Sequence, residues 1–169
     1  MTPFTRPDRH VDRVFLHCTA SSYDHHDDID VVRQWHLGRG WSDVGYHYMI
    51  HRDGSISAGR DIERTPAAQK GHNKGTIAIA MHGGQDAKDD FSTKQIIALR
   101  EFCEKIRAAY DDITFHGHCE VVIRDCPVYD YKAFLCLDKD GHMPPLHLTD
   151  EPKPKRQWLP KIKAWGVND

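Results

Sequence analysis

Residues 76–81, Thr-Ile-Ala-Ile-Ala-Met, alternate large and small apolar side chains and stop at Gly83-Gly84. A run of that length and period reads as a buried strand, and its alanines leave room for a closely packed helix. Soon after, Ser92 and Gln95 have the spacing of a capping box. They stand before an amphipathic stripe of Leu99, Phe102, Cys103, Ile106 and Tyr110. A buried strand followed by a capped amphipathic helix restricts the chain to folds in which helices cover a sheet.

The flanking sequence extends this pattern. Val11 to His17 reads as a strand ending at His17, and Thr19 to Ser22 as the loop after it. Asp28 can cap a helix carrying Ile29, Val32, Trp35 and His36, with Gly38 and Gly40 closing it. The acidic cluster Asp24, Asp27, Asp28 and Asp30 suits that helix N-terminus and is structural on this reading. Gly45 to Arg52 and Ile56 to Arg60 flank the turn Arg52-Asp53-Gly54-Ser55, a hairpin signal. Ile113 to His116 is a further short strand, and a short helix is expected from about Tyr129 to Leu137. The fold class is therefore α/β: a mixed central sheet flanked by helices, in one domain over residues 1–137. From Asp138 to Asp169 the composition shifts to proline and lysine, which reads as an extension, partly docked or flexible. Trp158 and Trp165 favour docking of part of it.

With 169 residues the chain has the size of one domain. A net charge of −2 gives no basic surplus for binding nucleic acid through bulk charge. Met1 to Arg13 has no apolar run, so no signal peptide is expected, nor any membrane insertion, and the expected location is the cytoplasm. Five cysteines cannot all pair, and a disulfide scaffold does not fit that compartment, so at least one thiol is free for metal or catalysis.

Thirteen histidines are the compositional oddity, and the question is which of them converge. His118 and Cys126 share a loop, and His17 ends a strand far upstream. If the two strands are neighbours, all three reach one sheet edge. Two imidazoles and a thiolate make a good zinc set, and three protein ligands leave a fourth position open, as in catalytic sites. A metal-bound imidazole needs a partner for its other nitrogen, and the loop offers Glu120 and Asp125. Spacing alone fits a blander reading as well: a core histidine, a buried apolar cysteine and a loop histidine. Nor does it choose between His118 and His116.

Longer words add to this. Leu16-His17-Cys18-Thr19-Ala20, Trp41-Ser42-Asp43-Val44-Gly45-Tyr46-His47-Tyr48 and Arg52-Asp53-Gly54-Ser55-Ile56 occur in order. Lys70-Gly71-His72-Asn73-Lys74-Gly75-Thr76-Ile77 follows, then His118-Cys119-Glu120 and Cys126-Pro127. Over roughly residues 10–137 this series resembles the N-acetylmuramoyl-L-alanine amidases of the T-odd phage lysozyme type, relatives of the peptidoglycan recognition proteins. The resemblance implies a zinc ion (Zn2+) on His17, His118 and Cys126, which selects His118 over His116. It maps a catalytic tyrosine onto Tyr46 and places His47 near the substrate cleft. It implies peptidoglycan or muropeptide as substrate, cut at the amide joining the lactyl group to L-alanine.

Two departures matter. The family usually has lysine two residues before the ligand cysteine, where this chain has Arg124. Arginine keeps the charge and the donors but cannot act as a base, so Arg124 is expected to act electrostatically and Glu120 is a candidate proton acceptor. Relatives often carry a histidine just before Lys70, where this chain has Ala68 and Gln69. His72 and Asn73 remain candidate substrate contacts, with a polar turn as the alternative.

The resemblance also admits other functions. One is a peptidoglycan-binding module without catalysis, although such members typically lack the cysteine ligand. Another is a cytoplasmic amidase recycling wall fragments, and a third a regulatory protein, since some relatives bind a phage RNA polymerase. An endolysin that accumulates inside the cell as a monomer and reaches the wall through a membrane lesion fits the expected lack of a signal peptide.

Overall fold

The structure is a computed structural model that describes residues 3–146. In chain order it contains β1 (Arg13–Cys18), α1 (Ile29–Gly38), β2 (Tyr48–Ile50), β3 (Ile56–Ala58), β4 (Thr76–Met81), α2 (Thr93–Ala108), β5 (Thr114–Gly117) and α3 (Tyr131–Phe134). The strands form one mixed sheet in the order β3-β2-β4-β1-β5. β1 runs parallel to both β4 and β5, β2 runs parallel to β4, and β3 closes an antiparallel hairpin on β2. This is the α/β architecture that the alternation of elements predicts.

The two faces of β4 have different tasks. Ile77, Ile79 and Met81 join Leu99, Phe102, Cys103 and Ile106 of α2 in the main core, with Val14 and Leu16 of β1 and Phe115 of β5. Phe102 is fully buried, with the Tyr48 ring edge-on at 4.7 Å. The alanines lie on the opposite face, because side chains alternate along a strand. That face carries Met49, which forms a second apolar cluster with Ile29 and Val32 of α1 and Val44. His17 pairs with Ala80 in the β1–β4 register and so shares the alanine face.

Both helix caps expected from sequence are present. Asp28 accepts from the Asp30 amide at 2.8 Å. At α2 the Ser92 hydroxyl oxygen accepts from the Gln95 backbone amide while the Gln95 side-chain Oε1 accepts from the Ser92 backbone amide, at 3.1 and 2.9 Å. The Ser92 hydroxyl also donates to the Arg52 carbonyl at 2.7 Å, and Gln95 Nε2 donates to the His82 carbonyl at 2.8 Å. The cap thus joins α2 to the β2–β3 hairpin and to the end of β4. Asp27 has a similar role, accepting from His51 Nδ1 at 2.8 Å and from the Arg52 amide at 2.9 Å, which supports the structural reading of the acidic cluster.

Several elements are shorter than their sequence signals. β2 and β3 have three residues each, and α3 has four. The extension expected from residue 138 begins docked: the Phe115 amide donates to the Gly141 carbonyl at 2.8 Å, and Met143 is buried in the main core. Trp158 and Trp165 lie outside the described residues. Among the described residues no helix is long and apolar enough to cross a membrane.

Ser92→Ala removes a cap and a tertiary hydrogen bond together, so it is expected to cost about 1–2 kcal/mol. Urea denaturation checks this. A midpoint unchanged from the wild-type protein would mean that the cap does not hold α2 in place.

Candidate metal centre and cleft

Strand register brings the three candidate ligands together. Leu16 of β1 lies opposite Gly117 of β5, so His17 and His118 follow one another at the carboxyl ends of adjacent parallel strands. Open parallel sheets place ligand crevices at such ends. Gly117 is needed here: a Cβ would come within 2.5 Å of the Tyr131 ring. The 118–126 loop is pinned by the Cys119 amide donating to the Cys126 carbonyl at 2.7 Å. Beyond it, the buried Tyr129 hydroxyl reaches the His17 carbonyl at 3.4 Å.

One ligand atom from each of His17, His118 and Cys126 lies within 4.8 Å of the others. Cys126 Sγ is 3.9 Å from His17 Nδ1, and the two imidazole rings are 4.6 Å apart. Tetrahedral zinc ligation separates ligand atoms by roughly 3.5 Å, so a small closure around an ion suffices. His17 is buried, and desolvation and the neighbouring His118 push its pKa down to about 3. Burial and the Arg124 charge lower that of His118 as well. Both rings are therefore neutral at pH 7, the form that binds metals. The Cys126 thiol is pushed up by its hydrogen bond with Cys18 and by burial. A cation reverses that preference, because metal coordination deprotonates a thiol. The donor set fits zinc.

Tyr46 stands beside this cluster, its ring 5.2 Å from His17 and 5.4 Å from His36. Gly45 precedes it because Cβ there would strike the Ala67 carbonyl. Burial and the nearby thiols raise the phenol pKa, so Tyr46 remains an O–H donor. Arg124 is exposed, and its charge is felt at both His118 and Tyr46. A cleft of about 760 Å³ is lined by Cys119 to Asp125, including Arg124, with His72 also on its wall.

Other expected site residues have different places. His47 is buried, donates from Nε2 to the Arg64 carbonyl at 2.9 Å and accepts on Nδ1 from the Ala78 amide at 3.0 Å. Both ring nitrogens are committed within the fold, to Arg64 and Ala78. The Asn73 side-chain oxygen accepts from the Ala68 and Gln69 amides at 3.0 and 2.9 Å, so it organises a turn, the alternative reading. Glu120 accepts from His116 Nδ1 at 2.7 Å, from the Gly117 amide at 3.2 Å and from the Tyr131 hydroxyl. Although burial opposes it, hydrogen bonds from Tyr131 and His116 hold its carboxyl below the usual range. Its described hydrogen bonds thus go to His116, Gly117 and Tyr131 and not to a candidate ligand. The same contacts occupy His116, whose Nε2 meets Thr114 Oγ1 at 2.8 Å.

In the sequence Gln69 stands out only as a departure from the family. It is fully buried, and its Oε1 accepts from His17 Nε2 at 3.0 Å. The only sequence signal was a large polar residue in a turn just ahead of an apolar strand.

Comparison with known proteins matches residues 7–129 to the family model described as N-acetylmuramoyl-L-alanine amidase. The endolysin of Escherichia phage T7 is 36% identical over 128 residues, covering 73% of this chain and 85% of that protein. The endolysin of Enterobacteria phage T3 is 34% identical, covering 76% and 88%. Among solved structures, the endolysin amidase LysCS of Clostridium intestinale superposes with a TM-score of 0.69 at 22% identity, covering 76% of this chain and 83% of that one. The complex of peptidoglycan recognition proteins LCa and LCx bound to tracheal cytotoxin gives a TM-score of 0.63 at 23% identity, covering 72% and 78%.

Burial lowers the pKa of His17 to about 3 and those of His36 and His47 to about 4, so the folded chain holds these imidazoles neutral. The unfolded chain protonates them below about pH 6.5, so it binds more protons there and acidification favours unfolding. The urea midpoint of metal-free protein is expected to fall steadily from pH 6.5 to pH 4, and His36→Gln to make that slope shallower. A midpoint flat across this range would contradict the neutral buried imidazoles.

Proposed function

This chain belongs to the N-acetylmuramoyl-L-alanine amidase family, and on that premise we propose that it is a zinc-dependent endolysin. Its proposed target is the amide between the lactyl group of N-acetylmuramic acid and L-alanine in peptidoglycan. The observation that carries the reading is the convergence of His17, His118 and Cys126 at the end of the sheet, beside a cleft. The family and the phage endolysins at 34–36% identity support the bond and the lytic role. A cysteine in the donor set favours catalysis over a module that only grips muropeptide.

An amide is a poor electrophile. His17, His118 and Cys126 would hold the zinc ion, which when bound would supply Lewis acidity toward the carbonyl and lower the pKa of water. The remaining work falls to the chain. Negative charge that develops on the carbonyl oxygen needs donors already in place. Tyr46 provides a neutral O–H, and Arg124 provides a fixed positive charge at the cleft. Arg124 cannot take up a proton, so its role is electrostatic. His72 lies on the cleft wall, which supports a contact with the stem peptide or the muramyl sugar on this reading.

Arg124→Ala is expected to lower kcat by about 100-fold, the usual scale for losing one oxyanion donor, while Arg124→Lys retains most activity. A fully active Arg124→Ala enzyme would remove Arg124 from the mechanism. The function is tested by digesting purified peptidoglycan with and without a strong chelator and assaying new N-terminal alanine. Alanine release that the chelator stops and added zinc restores is expected. Release of reducing sugar ends would overturn the bond assignment. Activity that survives complete metal removal would overturn the zinc.

A further inference from the structure

We propose that Gln69 is a positioning residue that fixes the tautomer of His17 and turns its Nδ1 toward the metal position. Three hydrogen bonds determine the direction of this relay. Thr76 Oγ1 donates to the Asn73 carbonyl at 2.7 Å. A carbonyl only accepts, so the single hydroxyl proton is spent there. The Gln69 atom 2.7 Å from Thr76 Oγ1 must then be a donor, which makes it Nε2. This leaves Oε1 facing His17 at 3.0 Å. An amide oxygen only accepts, so His17 carries its proton on Nε2. Its Nδ1 is left with a free lone pair, and that is the nitrogen facing Cys126 Sγ.

The relay is sealed from water. His17, Gln69 and Thr76 are all buried, and the side-chain oxygen of Asn73 clamps the turn that carries Gln69. A ligand imidazole with its second nitrogen held in this way is oriented before any ion arrives. An amide is an unusual choice for the task, because it brings no charge to the ligand. It therefore orients the ring without the added basicity that a carboxylate confers.

This inference rests on the reading that His17 is a metal ligand, but one arm of its test needs no metal. In metal-free protein with 15N-labelled histidine, long-range 1H–15N correlations report which ring nitrogen of His17 bears the proton. The wild-type protein and Gln69→Glu, which keeps an acceptor, are expected to show Nε2–H. Gln69→Leu is expected to lose that preference and to bind zinc about 10–100-fold more weakly in competition with a chelating indicator. Thr76→Val, which removes the hydroxyl but leaves Gln69, is expected to shift both readouts in the same direction by less, and it serves if Gln69→Leu does not fold. Nε2–H and zinc affinity unchanged in Gln69→Leu, or in Thr76→Val if only that variant folds, would overturn the proposal. Loss of the tautomer in Gln69→Glu would also overturn it, leaving Gln69 a packing role. Wild-type protein that binds no zinc would instead defeat the metal reading, and the tautomer would still judge the relay.

Discussion

The parallel pairing of β1 with β4 on one side and β5 on the other is the constraint on which the site depends. Its register sets His17 at the same level as the end of β5, so that His118 is the next residue to leave the sheet. A slip of one residue would turn His17 to the opposite face, among the aliphatic side chains that meet α2. That register is secured by the large apolar residues of the α2 face, Val14, Leu16, Ile77, Ile79 and Phe115, none of which takes part in the chemistry. The core thus positions the site by determining which face His17 can occupy.

On the site face, polar groups are held in place before any ligand binds. The buried imidazoles are neutral, Tyr46 keeps its proton, and Arg124 brings positive charge without entering the donor cluster. Glu120, the nearest loop carboxylate to His118 in sequence, is engaged by His116, Gly117 and Tyr131. The Glu120 charge is thereby engaged in its own network, while Arg124 brings positive charge to the same cleft wall.

Where a signal was local, the sequence could be read directly. The alternation in β4 and the Ser92–Gln95 box depend on neighbouring residues, and both appear as expected. Element ends were less legible, because the lengths of β2, β3 and α3 depend on partners distant in sequence. The three candidate ligands were legible only through long ordered words, since spacing fits a core histidine equally well. The different settings of two adjacent residues were not legible either: Tyr46 faces His17, while the His47 ring is committed to Ala78 and Arg64. Gln69 was missed because its partner is 52 positions away, brought near only once the turn closes. Residues whose roles arise from tertiary contact leave little trace in local sequence.

The central claim is that two imidazoles and one thiolate from distant parts of the chain hold a single zinc ion. X-ray absorption at the zinc edge, on protein loaded with one equivalent, tests it most directly. The expected first shell has two imidazole nitrogens at about 2.0–2.1 Å and one sulfur at about 2.3 Å, with the remaining scatterer a light atom. Sulfur scattering should disappear in Cys126→Ser. A shell without sulfur in the wild-type protein, or one that Cys126→Ser leaves unchanged, would contradict the site.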